Sequence, residues 1–306
     1  MVHDNRLACV TGVGQAAPMT ADRALREVSA ADADAILDLV TLCDLAESGE
    51  STYTIDEVST DLARTTMRGV VVDDPRGGLT AYAWVSHLPT LQMALGTIHL
   101  RPGSAAAVAV DILDWLRETA ADFTPGISVH CFTSETNAAM CRLYEAAGGT
   151  VVRRYYRMRI VVGADVDGPA LPKGVEIRGV AGEVDLRAMH AVVDTAFADH
   201  FAHEPKSFEQ WRQAAVGMCP DLSLWWLATV DGAPAAGLYG LAAPHGGWVD
   251  TLGTLREFRG RGLGAALLRT SFAEFRRRDL PMVKLSVDAT NTTGALLQVR
   301  HKHQQE

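Results

Sequence analysis

Arginine and glycine alternate at one point in the chain, in the run Arg259-Gly-Arg-Gly-Leu-Gly264. A strand pattern, Trp248–Leu255, precedes this run and a helical pattern, Ala265–Phe275, follows it. Glycines let main-chain N–H groups approach a ligand closely, and the start of a helix offers unpaired donors and a partial positive charge. Arg259 and Arg261 add full charges that suit a pyrophosphate. The spacing predicts a pyrophosphate-binding loop, and the alternative is an exposed basic turn that merely starts a helix.

Other glycine-rich phosphate signatures fit this run less well. A Walker loop needs Gly-Lys followed by Ser or Thr, which this run does not contain. A Rossmann fingerprint should open the first strand and helix of a domain, whereas this loop comes about two-thirds of the way through its half of the chain.

The elements that must position the loop occur twice. Four segments of the first half recur, in the same order, 152 to 154 residues later in the second half. The matched pairs are Leu25–Ser29 with Ile177–Val180, Gly78–Trp84 with Gly232–Leu238, Ile112–Leu116 with Ala266–Thr270, and Asn137–Met140 with Asn291–Gly294. The sequence therefore predicts a flexible lead-in at 1–24, a first domain at 25–162, a linker at 163–174 and a second domain at 175–306.

Each half shows a strand, one or two helices, a meander of three or four strands, a helix, a further strand and a last helix. This order predicts the fold class α/β (α+β), with two tandem domains that each have a mixed, mostly antiparallel sheet flanked by helices.

Composition excludes several classes of partner. The formal net charge is −9, which argues against nucleic acid as a partner. Five cysteines without CxxC spacing predict reduced thiols, as in a cytoplasmic protein. Neither a signal peptide nor a run of about 20 apolar residues is present, so no membrane is expected as a partner. His200 and His203 resemble a metal pair, but a third ligand is not apparent, so we predict no metal.

The pattern Arg259-x-x-Gly262-x-Gly264, with a strand before it and Asn291 after the next strand, resembles the GCN5-related N-acetyltransferases (GNAT). The resemblance covers nearly all of Val175–Leu297, and the paired layout resembles tandem members of that family. It implies that acetyl-CoA is the co-substrate and that its acetyl group is transferred by direct attack of a small-molecule amine. The cysteines would then have no role in the reaction. The residues expected at the cofactor are Leu252, Gly253, Thr254, Leu255, Arg259, Gly260, Arg261, Gly262, Leu263, Gly264, Ala265 and Asn291.

The resemblance also assigns roles within that set. The amides of 261–265 are expected to hold the pyrophosphate, and the main chain of 252–254 to pair with the pantetheine arm. The N–H near Leu252 would polarise the thioester carbonyl. Asn291 is expected to contact the cofactor close to the pantetheine arm.

Candidates for the proton transfers are carboxylate and imidazole groups. Asp250 lies on the strand that would face the thioester, either as a general base through water or as an ordinary edge carboxylate. His200, His203 and Glu204 follow the first helix of the second half, and either line the acceptor pocket or lie at the surface. A Tyr on the last helix commonly acts as the acid in the family. Tyr144 stands at that position in the first half, but Gln298 stands there in the second.

The two halves are defective in opposite ways. At the repeat offset the first half has Ala105–Val110 in place of the glycine loop, so its domain is predicted to be degenerate and to serve structure or substrate shaping. The second half has only fifteen residues after Asn291, so it is predicted to be truncated at its C-terminal strands. Its open sheet edge would be covered by the first domain or by a second chain in a homodimer, or the fold is simply shorter.

Two functions are consistent with these features. One is an N-acetyltransferase that uses acetyl-CoA in the second domain. The other is a catalytically weak or inactive acyl-CoA-binding protein with a regulatory or structural role.

Overall fold

The computed structural model describes residues 3–10, 25–49, 51, 53–162, 171–200, 203–243 and 246–289, with the main chain alone at 3–10. The chain divides into two compact units between Tyr155 and Tyr156. The first unit contains β1 (His3–Val10), β2 (Arg26–Glu27), α1 (Ala33–Ser48), α2 (Ile55–Leu62), β3 (Met67–Asp73), β4 (Leu79–Leu88), β5 (Met93–Leu100), α3 (Ala106–Phe123), β6 (Ser128–Ser134), α4 (Ala138–Ala146) and the start of β7 (Thr150–Val161). The second contains the end of β7, β8 (Val175–Gly179), α5 (Gly182–Phe197), α6 (Phe208–Met218), β9 (Trp225–Val230), β10 (Ala233–Ala243), β11 (Gly246–Thr254), α7 (Leu263–Arg277) and β12 (Met282–Asp288).

The repeat predicted from the sequence is present in the sheet topology. The strand order is β2-β3-β4-β5-β6 in the first unit and β8-β9-β10-β11-β12 in the second. In both units the first three pairings are antiparallel and the fourth is parallel. The predicted class, two mixed sheets flanked by helices, is confirmed.

The lead-in differs from its prediction. His3–Val10, expected as part of a flexible segment, form β1 and pair antiparallel with β6, from Asn5 opposite Ser134 to Val10 opposite Val129. The physical reason is that β6 pairs with β5 on one side only, so its other edge offers main-chain groups that a strand can satisfy.

The edge of the second sheet beyond β12 is covered by a strand of the predicted first domain, one of the three alternatives given above, because β7 lies next to β12. The N–H of Val162, just after β7, donates to Pro281 O at 2.6 Å, and Met158 and Ile160 pack against the core of the second unit. The domain boundary therefore falls inside β7 and not in the linker 163–174, of which 163–170 lie outside the described residues. A homodimer inferred from an open edge at β12 loses its basis.

Helices cover both faces of the second sheet. A Cβ built on Gly237 would lie 2.3 Å from Met189 Sδ of α5, whereas one on Gly247 would lie 2.5 Å from the Phe275 ring of α7. The α5 face also receives α6, whose Trp211 contacts Trp225 edge-on. These two glycines let the helices pack close to the strands. Gly237 marks the face of the sheet covered by α5 and α6, and Gly247 marks the face covered by α7.

Two features are absent from the part of the chain that the structure describes. None of the helices there has the length and apolar character that a membrane span requires. Groups of three or more His, Cys, Asp or Glu that could hold a metal ion were not found in the same residues.

Candidate functional site

The two parallel strands at the centre of the second sheet separate partway along their length. β11 pairs with β12 from Gly247 opposite Val283 to Val249 opposite Leu285. Beyond that point β11 continues only along β10, as far as Thr254 opposite Ala236. A gap therefore opens between Asp250–Thr254 on one side and Ser286–Asp288 on the other, which we call the interstrand gap.

A β-bulge marks the start of the gap. Tyr239 lies opposite Thr251 and Gly240 opposite Val249, so Asp250 is the extra residue of β11 in that pairing. A bulge bends its strand and re-aims the side chains around it. Here it coincides with the point at which β11 leaves β12.

Asp250 lies in a concave part of this surface. Its side chain reaches solvent, yet the protein around it raises the pKa of the carboxyl through desolvation, against the hydrogen bond from Thr251 Oγ1 at 2.9 Å, which lowers it. The charge of Asp250 also acts on buried Tyr239 and on Cys219 at the end of α6. This places the carboxyl on the α5–α6 face of the sheet.

The main chain of β11 directs donors into the gap. The N–H of Leu255 donates to Ala235 O of β10 at 2.9 Å. In an antiparallel strand successive N–H groups point to opposite sides, so those of Leu252 and Thr254 point away from β10. Because β12 has already diverged at this level, these two donors face the interstrand gap.

The glycine-rich run forms a loop that leads into α7. Gly260 and Gly262 have φ of 74° and 80°, in the left-handed region that favours glycine. A Cβ on either would meet no described atom within 4 Å. The first helical bond runs from Ala266 N–H to Gly262 O, and among the described residues no side chain caps this helix. The preceding N–H groups, Leu263 to Ala265, are therefore donors without acceptors inside the helix.

The arginines of the loop do not all face the ligand side. Arg259 donates from Nε to Thr254 O at 3.1 Å and from Nη2 to Ala196 O at 3.2 Å. Its charge thus binds the loop to the C-terminal end of α5, where helix carbonyls carry partial negative charge. Arg256 pairs with Asp199 just beyond α5. Arg261 is exposed, and its guanidinium lies 5.4 Å from the centre of the Phe258 ring. Among the described loop arginines, it is the one placed to bind an anion.

The end of α5 spans the interstrand gap. A Cβ on Gly253 of β11 would lie 3.0 Å from Ala196 Cβ and 3.3 Å from the Phe197 ring. Four residues after Ala196, His200 Nε2 lies 4.0 Å from Asp288 Oδ2 at the end of β12. The sequence gave no sign of Asp288, since a lone Asp at the end of a strand pattern has no distinctive spacing.

The remaining predicted site residues divide into two groups. His203 faces α5, with Nε2 3.2 Å from Asp194 Oδ1, and Glu204 is half-buried beside it in the chain. Among the described residues, no hydrogen bond or ion pair joins His203 or Glu204 to the strands that border the gap. Asn291 and Gln298 lie outside the described residues.

The equivalent region of the first unit differs in its loop. β5 also leaves β6, after Gly96 opposite Cys131. Only five residues, 101–105, join β5 to α3, against eight between β11 and α7. Ala105–Val110, predicted to stand in place of the glycine loop, cap and begin α3, because this helix starts about one turn earlier relative to the repeat than α7 does.

Side chains of α1 bond to groups beside the gap of the first unit. Cys43 Sγ of α1 donates to Leu100 O at 3.3 Å, and Asn137 Nδ2 donates to Glu47 Oε1 at 2.6 Å. These bonds join α1 to the last residue of β5 and to the residue that caps α4 after β6. Tyr144 is 1% exposed, and burial raises the pKa of its phenol well above the usual value.

Comparisons with known proteins agree with this fold and site. Residues 187–295 match the family described as the acetyltransferase (GNAT) family. A GCN5-related N-acetyltransferase from Sphaerobacter thermophilus is 28% identical, with a TM-score of 0.76 over 89% of this chain and 88% of that chain. A tandem GNAT protein from the clavulanic acid biosynthesis pathway, 14% identical, shares the fold with a TM-score of 0.68 over 90% of this chain and 92% of that chain. Residues 187–295 thus match the GNAT family, and the fold of the chain is that of tandem GNAT proteins.

Among curated proteins, the similar ones are mycothiol acetyltransferases. The protein from Thermobispora bispora is 31% identical over 182 residues, which cover 57% of this chain and 61% of the relative. The one from Salinispora arenicola is 32% identical over 163 residues, which cover 48% and 50%. The chain therefore spans about half to three-fifths of the length of the curated relatives it matches.

Proposed function

We propose that the second unit is an N-acetyltransferase that transfers an acetyl group from acetyl-CoA to the amine of a small molecule. The observation that carries this proposal is the interstrand gap, which runs from the bulge at Asp250 to the glycine loop before α7. Main-chain donors line the gap, and further donors converge at its loop end. A long ligand with a carbonyl at one end and a pyrophosphate further along matches that series of donors.

The residues present fit acetyl-CoA. The open space beside Gly260 and Gly262 is where an added Cβ would stand, and the free N–H groups of Leu263 to Ala265 adjoin it. These donors and Arg261 would hold the pyrophosphate. The N–H groups of Leu252 and Thr254 would pair with the pantetheine and acetyl end. When bound, acetyl-CoA supplies an activated thioester.

The protein groups around the gap can assist acetyl transfer in two ways. The Leu252 N–H is fixed by the strand, so it can stabilise negative charge on the acetyl oxygen without reorganising. Asp250 stands at the mouth of the gap on the α5–α6 face, where it can take the proton of an attacking amine, directly or through water. Its raised pKa makes the carboxylate a stronger base than an ordinary surface Asp.

The acceptor is proposed to approach from the α5–α6 face. That face carries Asp250 and the end of α5, and the opposite face is covered by α7. The net charge of −9 favours a cationic amine over an anionic acceptor. The names of the curated relatives support a small-molecule acceptor.

We further propose that the first unit binds no acyl-CoA and shapes or supports the second. Its loop is short, and Cys43 and Glu47 of α1 are bonded to Leu100 and Asn137 beside the matching gap. One cofactor per chain is the expected stoichiometry.

Two measurements on the full chain test the proposal. Thermal stabilisation by acetyl-CoA tests the site, and an absence of any shift at millimolar ligand would refute it. Release of CoA in the presence of a panel of small amines tests the reaction. Stabilisation without CoA release from any amine would favour the alternative, an acyl-CoA-binding protein without efficient chemistry.

A further inference from the structure

His200 and Asp288 form a pair at the far border of the interstrand gap. Asp288 is the last residue of β12, three residues beyond Leu285, where pairing with β11 ends. His200 follows α5, and its Nε2 lies 4.0 Å from Asp288 Oδ2. The ring is also 5.3 Å from that of Phe197, which packs on Gly253 of β11. The imidazole therefore lies near both strands that border the gap.

The two members of the pair differ in burial. The Asp288 side chain is 8% exposed and that of His200 is 35% exposed. The buried carboxylate can help to position the ring, while the more accessible imidazole can still reach a ligand. The pair at His203 has the opposite arrangement, since His203 is 17% and its partner Asp194 33% exposed.

Asp250 and His200 occupy opposite borders of the gap. Asp250 is on β11, directly after the last residue paired with β12, and Asp288 brings His200 to the β12 side. Side chains alternate along β12, and Lys284 lies opposite Trp248, whose neighbour Gly247 faces α7. Asp288 therefore faces the same α5–α6 side as Asp250. A base and an acid can thus stand on either side of one reacting group.

We infer that His200 is the general acid that protonates the departing CoA thiolate, with Asp288 as its positioning residue. The inference rests on the proposed acetyl transfer. In that reaction the amine nitrogen forms a bond to the acetyl carbon, and the carbon–sulfur bond breaks. The amine proton passes to Asp250, and the thiolate receives a proton from the His200 imidazolium. No redox change and no further reactant are involved.

The charged groups around His200 come from three elements. Asp288 faces it from β12. On its own segment, Asp199 is paired with Arg256 of the loop, and His203 is directed at Asp194 of α5. Asp288 is therefore the carboxylate to vary, and His203 provides a matched control of the same residue type on the same segment.

The first test measures binding and needs no turnover. CoA and desulfo-CoA differ only in the thiol, so a side chain that contacts the sulfur makes CoA bind more tightly than desulfo-CoA. We expect wild-type protein to prefer CoA by about tenfold, which corresponds to about 1.4 kcal/mol. His200→Gln should abolish the preference, Asp288→Asn should reduce it, and His203→Gln should keep it. Equal preference in wild type and His200→Gln overturns the assignment.

The second test measures the reaction. His200→Gln should lower kcat about 100-fold with little change in the KM for acetyl-CoA. His200→Ala should regain activity with added imidazole, and His203→Ala should not respond to it. If His200→Gln changes only the KM, or if imidazole does not restore activity to His200→Ala, His200 is not the general acid. If wild-type protein neither binds CoA nor releases it, the proposed acetyl transfer itself is contradicted. This outcome is distinct from a failure of the His200 assignment, in which wild-type protein is active.

Discussion

Replacing Gly262 with alanine separates the role of the loop in binding from its role in folding. Gly262 has φ of 80° at the start of α7, and an added Cβ would meet no described atom within 4 Å. The substitution therefore introduces backbone strain of about 1–2 kcal/mol without a clash. About 0.4–1 kcal/mol is offset by the lower entropy of the unfolded chain. The net loss of about 1 kcal/mol corresponds to a fall in Tm of about 2–4 °C for a unit of this size.

The effect on the cofactor should be larger. The added methyl group occupies the space where the pyrophosphate is proposed to meet the N–H groups of α7. Loss of one charge-assisted hydrogen bond costs about 1.5–3 kcal/mol, which is about a 10- to 150-fold increase in Kd. Calorimetry with acetyl-CoA measures this increase, and thermal unfolding without ligand measures the loss of stability.

Gly103 in the first unit provides the matched control. It has φ of 83° in the loop before α3, and its Cβ would also meet no described atom within 4 Å. Gly103→Ala should lower stability by a similar amount and leave acetyl-CoA affinity unchanged. If Gly262→Ala loses stability but binds acetyl-CoA like wild type, the pyrophosphate is not held at this loop.

Four further changes test other contacts. Asp250→Asn should lower kcat at least 100-fold and keep acetyl-CoA stabilisation, and wild-type activity should fall as pH drops through the raised pKa of this carboxyl. Arg259→Met should weaken acetyl-CoA binding about tenfold by freeing the loop from α5, as measured by calorimetry; unchanged affinity would contradict the anchoring role. Asp185→Asn should cost about 1 kcal/mol at neutral pH in chemical unfolding. Because Arg178 lowers the pKa of Asp185, that stabilisation is present above the ordinary Asp pKa and is lost as pH falls through the lowered one, so the variants should converge in acid. Tyr144→Phe should leave turnover unchanged, and a large loss would place chemistry in the first unit.

The elements that form the glycine loop could be predicted because each depends on residues that are close together in the sequence. The strand before the loop, the two positive-φ glycines and the start of α7 depend on residues a few positions apart, so periodicity and glycine spacing locate them. The order of elements follows for the same reason, and the internal repeat added independent support. Strand ends differed by one or two residues, as for β11, predicted at 248–255 and observed at Gly246–Thr254.

Features that depend on distant parts of the chain were not predictable. The bulge at Asp250 arises where β11 leaves one neighbour and keeps another, which no pattern within the strand encodes. Arg259 carries the positive charge expected of a residue that binds an anion. In the folded chain, however, its guanidinium donates to the Ala196 carbonyl of α5. The position of β7 beside β12 joins residues about 120 apart, since Val162 bonds to Pro281.

The position of β7 also constrains how the second unit can be made. This strand leaves the ribosome before the other elements of the second unit, whereas its neighbour β12 is the last of the described strands to be synthesised. Pairing between β7 and β12 cannot form until translation has passed β12, so this edge of β7 stays unpaired until then and closes through a late, long-range contact. A recombinant fragment of the unit should accordingly begin near Thr150 and not at Val175, because the later start removes a strand that the sheet already needs.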